Sequence, residues 1–311
     1  MPMIIAVPDL VSNSYFPAVA AVDLGCFAAE GLDVELELIF PVDAAYAALR
    51  DGAVDFVAGS AHSAVAAFPE WRGVKLICAQ GQGMYWFLVM RADLGATRGD
   101  LSVVKGKRIG AAPWVEMGLR RMLIAGGVDI ERDEVEIAPV PGAKPAPGEV
   151  VNFGVTAAKA LAEGKIDGFW ANGMGTEVAV AEGAGDVVID VRRGDGPPEA
   201  FNYTMASVAM TDALIERNPE AAQGAVRAIR RAHDALRSDP ALAVQVGRKR
   251  FPPREAELIT ELVRRDLPFY DASIGADFVN GMKAFCRDVE IMTGDPAYED
   301  IVANQLSDLW R

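Results

Sequence analysis

The residues able to hold or react with a small molecule fall in a few short loops. Ser14 and Tyr15 stand where a first apolar run, Ile4 to Val7, has ended and a helical pattern begins. Backbone N–H groups are unpaired at such a junction and the helix dipole is positive. With the neighbouring Ser12 and Asn13, these side chains add hydroxyl and amide groups to the same spot. Ser60, Ala61 and His62 form a second junction of this kind, where an imidazole can donate to a ligand or move a proton near neutral pH. Trp114 and Glu116 mark a third. Gln82, Trp86, Phe153, Trp170, Asn172 and Tyr203 add rings and a few polar groups, a set suited to a flat heterocyclic or aromatic solute. Each has a structural alternative. Ser14 as a helix N-cap contributes about 1 kcal/mol, His62 can be a polar cap, Glu116 a partner of the helix dipole, and any Trp a core residue.

No catalytic residue is assigned. The chain carries no Ser/His/Asp arrangement at motif spacing and no phosphate loop. Two His and three Cys without ligand spacing give no metal site, and no cofactor is expected. Cys26, Cys78 and Cys286 each sit in an apolar pattern and read as buried free thiols. His233 reads as a surface or core-edge residue of a long late helix.

The elements that must position these loops alternate. A strand over Ile4 to Val7, a helix from Phe16 to Glu30 and a strand over Val34 to Leu38 make a βαβ unit. A helix over Val42 to Arg50, a strand over Val54 to Val57, and a strand over Val74 to Ala79 continue it. Tyr85 to Met90 is aromatic and β-branched and reads as a strand crossing into a second lobe. There, strands near Lys107 to Ala112, Val135 to Val140, Asp167 to Trp170 and Val187 to Val191 alternate with helices. Pro141 to Gly148 reads as an exposed loop. Tyr203 to Met210 reads as a strand crossing back. Amphipathic helices follow over Ala221 to Leu236, Glu255 to Arg265, Gly275 to Val289 and Tyr298 to Trp310. This is the pattern of α/β lobes with parallel sheets, and 311 residues suffice for two of them.

A net charge of -14 argues against a nucleic-acid partner, because little here neutralises phosphates. No apolar run approaches the roughly 18 residues of a membrane span. The start MPMIIAVPD lacks the basic and apolar regions of a signal peptide. The expected location is periplasmic if a leader was removed, and otherwise cytoplasmic.

Four blocks carry a resemblance. Leu24 to Glu35, LGCFAAEGLDVE, follows two small residues and an apolar helix. Asp51 to Val57 reads DGAVDFV, Val104 to Gly110 reads VKGKRIG, and Ala160 to Gly168 reads ALAEGKIDG. In this order they resemble the sulfonate/nitrate/taurine-type solute-binding proteins of ABC transporters, including the thiamine-pathway pyrimidine branch, over roughly residues 1 to 240. The resemblance implies an α/β, two-lobed type II periplasmic binding-protein fold with two hinge crossings. Residues 1–88 plus 200–311 would form lobe one, with the C-terminal helices packed on it, and 89–199 lobe two. It further implies a ligand in the cleft between lobes, met by Ser14, Tyr15, Ser60, Ala61, His62, Gln82, Trp86, Trp114, Glu116, Phe153, Trp170, Asn172 and Tyr203. Where relatives carry small hydroxyl residues for an oxyanion, this chain has Trp114 and Glu116, a departure that speaks against sulfonate or nitrate.

Two functional readings follow. In the first, the chain binds a small organic, aromatic or heterocyclic solute for ABC-type import, with a permease as partner. In the second, it is a cytoplasmic lyase, decarboxylase or pyrimidine-synthase-like enzyme using His62 or Glu116 as acid or base. The sulfinate desulfinase resemblance would need a Cys where Ser14 stands, and the pyrimidine synthases carry a Cys-rich segment that is missing here.

Overall fold

Short, largely buried strands and turn-forming glycines make two five-stranded sheets, each inside its own unit. The computed structural model describes residues 2–143 and 152–311. The chain divides into Met1–Gly83 with Asn202–Arg311, and Met84–Phe201. The expected boundaries were 88/89 and 199/200. Within the second unit, Met84 N–H donates to Phe201 C=O at 3.0 Å and joins its two ends.

In the first unit, β1 (Met3–Val7), β2 (Val34–Leu38), β3 (Phe56–Ser60), β4 (Val74–Gly81) and β10 (Ala206–Thr211) lie in the order β2-β1-β3-β10-β4. β1, β2 and β3 are parallel, and β10 runs antiparallel to both β3 and β4. Every residue of β3 is buried, as a strand covered on both faces requires. β2 is an edge strand, and its exposed Glu35 and Glu37 guard that edge against pairing with another chain.

In the second unit, β5 (Phe87–Arg91), β6 (Arg108–Ala111), β7 (Glu136–Ala138), β8 (Gly168–Ala171) and β9 (Gly185–Asp190) take the order β7-β6-β8-β5-β9. The two sheets share one plan. Three parallel strands are followed by an antiparallel fourth, supplied by the segment just after each passage of the chain between units. Both expected crossing strands start later than the sequence pattern placed them. Tyr85 and Trp86 precede β5, and Tyr203 to Met205 precede β10.

Other elements shift for local reasons. The first helix is Phe16–Asp23, not a run to Glu30, because Gly25 adopts φ 73° and a separate turn, Cys26–Ala29, follows. Ala61 to Ala66 is a 3-10 helix continuing directly from β3. The Pro219–Ser238 helix buries Ala222, Ala225, Val226, Ile229, Ala232 and Leu236 along one side, as an amphipathic pattern over Ala221 to Leu236 requires. Burial of each of its larger aliphatic side chains contributes roughly 1.5–3 kcal/mol. Pro253–Asp266 and Ala276–Asp288 are helices as expected, and Leu242–Arg250 is an additional one. Tyr298 to Trp310 is not a single helix. Val302 bridges to Leu76, and the Trp310 indole N–H donates to Ile77 C=O at 2.9 Å, so sheet contacts outweigh helical continuity there. The loop expected over Pro141 to Gly148 lies, beyond Ala143, outside the described residues. Among the described residues no helix is long and apolar enough to cross a membrane.

Candidate functional site

Strand registers decide where the loop residues gather. β1 and β3 are parallel, so the loop after Val7 and the turn after Ser60 leave the same edge of the first sheet. Ala206 of β10 pairs with Ser60 and with Gly81, which brings Tyr203 and Gln82 to that edge too. Ser14, Tyr15, Ser60, Ala61, His62, Gln82 and Tyr203 therefore share the carboxyl edge of the parallel strands, where ligands bind in open α/β sheets.

Ser14 is 3% exposed and its N–H donates to Ser12 Oγ at 3.2 Å, while its own Oγ has no partner among the described residues. Tyr15 is buried at the N-cap of the Phe16–Asp23 helix, whose first turn is bonded through Ala18 N–H to Gln80 Oε1. Ser60 Oγ and Ser63 Oγ lie 2.6 Å apart, and Ala61 N–H donates to Met205 C=O. His62 is fully buried. Its Nδ1 lies 3.0 Å from Thr204 Oγ1, its Nε2 lies 3.4 Å from Ser63 Oγ, and its ring meets the Phe285 ring edge-on at 5.4 Å. Tyr203 stacks on the same Phe285 at 4.8 Å. The Gln82 amide NH2 is committed to the carbonyls of Asp271 and Ser273 and so clasps the chain before the Ala276–Asp288 helix. Thr204, Phe285 and Asp266, on which the Asn13 amide bonds at 2.5 Å, belong to this cluster and were not read from the sequence.

In the second unit Ala111 pairs with Trp170, and Phe87 with both Ala171 and Asp190. Trp86, Trp114, Glu116, Trp170 and Asn172 thus share the carboxyl edge of that sheet. Trp86 packs against Tyr85 at 4.9 Å and Trp170 at 6.3 Å, and Gly118 of the Glu116–Ala125 helix lets the Trp86 ring approach. Trp170 is fully buried and its indole N–H has no partner among the described residues. Trp114 has φ 67°, a conformation a bulky side chain adopts only at a cost of about 1–2 kcal/mol. Glu116 is the first residue of its helix, where a carboxylate favours the dipole. Asn172 caps the Gly173–Ala181 helix by accepting from Met174 N–H and Gly175 N–H. Phe153 opens the Phe153–Ala162 helix, held beside Asn172 by the close approach of Gly154 to Gly175. Arg192, absent from the sequence-based set, is 7% exposed with its guanidinium 5.6 Å from the Tyr85 ring centre. A depression of about 630 Å³ lined by Glu70, Trp71, Lys75 and Asp212 lies at the other edge of the first sheet, where Val74 pairs with Thr211, and contains none of these residues.

The family model described as NMT1/THI5 like matches residues 12–243. The chain belongs to this family. The matched span of this NMT1/THI5-like protein runs from the Ser12 junction to the end of the Pro219–Ser238 helix and beyond, so it takes in every strand described above except β1. A protein from Bordetella bronchiseptica RB50 has a similar structure, with 18% identity, TM-score 0.76, and coverage of 99% of this chain and 96% of that one. The alkanesulfonate-binding protein SsuA from Xanthomonas axonopodis pv. citri, bound to MOPS, matches at 13% identity and TM-score 0.71 over 98% and 97% of the two chains. The periplasmic aliphatic sulphonate binding protein SsuA from Escherichia coli matches at 10% identity and TM-score 0.68 over 99% of each. These neighbours share the two-lobed fold of periplasmic binding proteins. No curated protein matches the chain.

Proposed function

We propose that this chain is a solute-binding protein that holds one small, flat organic solute, aromatic or heterocyclic, and presents it to an ABC-type permease. The observation that carries the reading is the make-up of the two sheet edges. Each gathers the side chains of several separate loops, and each keeps a buried polar atom without a partner among the described residues: Ser14 Oγ on one, the Trp170 indole N–H on the other. An unmet buried donor or acceptor costs about 1–3 kcal/mol, and a bound polar molecule removes that cost. The Tyr85, Trp86 and Trp170 rings, packed on one another, make that edge aromatic, which supports a flat, ring-bearing solute. The resemblance in fold to alkanesulfonate-binding proteins supports a transport role for the chain. His62, held between two hydroxyls and a phenyl ring, fits a fixed contact group.

A thermal-shift screen of the full chain with aromatic acids, aminopyrimidines, sulfonates and nitrate tests this. A solute present at a hundredfold its Kd stabilises the folded chain by about 2.7 kcal/mol. The reading expects a concentration-dependent rise in melting temperature with at least one flat ring compound. No rise with any compound contradicts it.

A further inference from the structure

The junction at Ser12 to Tyr15 carries a preference about which end of a solute it accepts, an inference that rests on the solute-binding reading above. Asn13 is wholly buried, and its amide is held one way round. Its Nδ2 donates to Asp266 Oδ2 at 2.5 Å, and Asp266, the last residue of the Pro253–Asp266 helix, is 1% exposed. A carboxylate oxygen accepts and does not donate. The group facing it must be the NH2, which turns Asn13 Oδ1 away from Asp266. That oxygen is buried and has no partner among the described residues, and neither has the Ser14 Oγ beside it.

Two of the first-turn positions of the adjoining helix offer no free N–H to an oxyanion. Anions at helix N-termini are held by free backbone N–H groups. In the Phe16–Asp23 helix, Pro17 has no N–H, Ala18 N–H donates to Gln80 Oε1 at 3.2 Å, and Val19 N–H donates to Tyr15 C=O at 3.3 Å. A buried acceptor next to a helix start where Pro17 offers no N–H and the Ala18 N–H is already engaged disfavours a group made only of acceptors.

We propose that this junction receives the hydrogen-bond-donating end of the solute, an amine, amide or ring N–H, and discriminates against sulfonate and nitrate heads. Asp266 is the positioning residue: it never touches the solute but fixes the Asn13 amide so that its oxygen is the atom on offer.

Isothermal titration of the full chain with benzamide, 4-aminopyrimidine, benzenesulfonate and nitrate tests the inference. The wild-type chain is expected to bind a donor-bearing ring on the order of tenfold or more tighter than benzenesulfonate. In Asp266→Asn the amide at 13 is free to turn, and that ratio is expected to fall by about tenfold while the far-ultraviolet spectrum stays unchanged. Asn13→Ser, which removes the acceptor and keeps a small polar group, is expected to lose the same ratio and serves if Asp266→Asn does not fold. A ratio unchanged in the folded variants, or tighter binding of benzenesulfonate or nitrate by wild type, overturns the inference and leaves solute binding standing. Binding of none of the four, together with a flat thermal-shift screen, overturns both.

Discussion

His233 donates from Nε2 to the Gln80 carbonyl at 2.8 Å and stacks on Tyr270 at 5.1 Å. It is 1% exposed, so it is a core residue rather than the surface or core-edge residue expected from its helix. Burial lowers its pKa from 6.5 to about 4, although the bond to Gln80 opposes that shift. The sign follows directly. Between these two values the unfolded chain binds a proton that the folded chain refuses, so stability is fully present above pH 6.5 and falls as the pH drops toward about 4. The loss is on the order of 3 kcal/mol. Denaturant titrations across this range are expected to show it in the wild type and to show a shallower slope in His233→Gln. Trp114 belongs to the same scale. Its ring is half-buried and its φ is 67°. Trp114→Ala is expected to weaken solute binding about tenfold while changing stability by less than about 1 kcal/mol. Trp114→Gly, free to adopt that φ, is expected to melt no lower than Trp114→Ala. Untouched binding with a large drop in melting temperature would make Trp114 a core residue. The positions legible in the sequence are those set locally, at loop-to-helix junctions. Asp266 and Thr204 were not, because their partners Asn13 and His62 lie 253 and 142 positions away. Arg192 was hidden in a turn-rich stretch whose place beside Tyr85 depends on the pairing of β5 with β9.

At the scale of elements, the close approach of two helix starts sets the second unit's edge. A Cβ added at Gly175 would lie 2.4 Å from the Gly154 carbonyl oxygen, a backbone atom with no freedom to move aside. Gly175→Ala is therefore expected to destabilise the chain by roughly 1–3 kcal/mol, read as a lowered denaturant midpoint, and to weaken solute binding through Phe153 and Asn172. A variant as stable as wild type would show that this crossing is loose. Strands covered on both faces were legible as continuous apolar runs, and helices as one-sided stripes. The Pro219–Ser238 helix covers the amphipathic stretch read over Ala221 to Leu236. Element edges were less legible. Aromatic residues at 85 and 86 extend the β-like pattern of β5, although Tyr85 packs on Trp86 and Trp86 on Trp170 outside the ladder. The break after Asp23 depends on the left-handed turn at Gly25, since an apolar stripe continues across it. The last segment departs from its helical pattern because pairing with β4 is a tertiary contact that outweighs a helical period.

For the molecule as a whole, the two sheets repeat one strand plan, and the family match over residues 12–243 spans both. The fold was legible because its blocks are architectural: they set turns, strand ends and helix starts. The solute was less so, since the same architecture serves different guests through a few side chains at the sheet edges. An overall charge of -14 shapes solubility and leaves the local chemistry of those edges to decide what binds. The central claim is that the chain holds a solute and returns it unchanged. Titration of the full chain with the best compound of the thermal-shift screen, followed by nuclear magnetic resonance of that compound after prolonged incubation, tests this most directly. The account predicts saturation at one solute per chain and an unaltered solute spectrum. A solute converted to product, with conversion abolished in His62→Ala or Glu116→Gln, would contradict it.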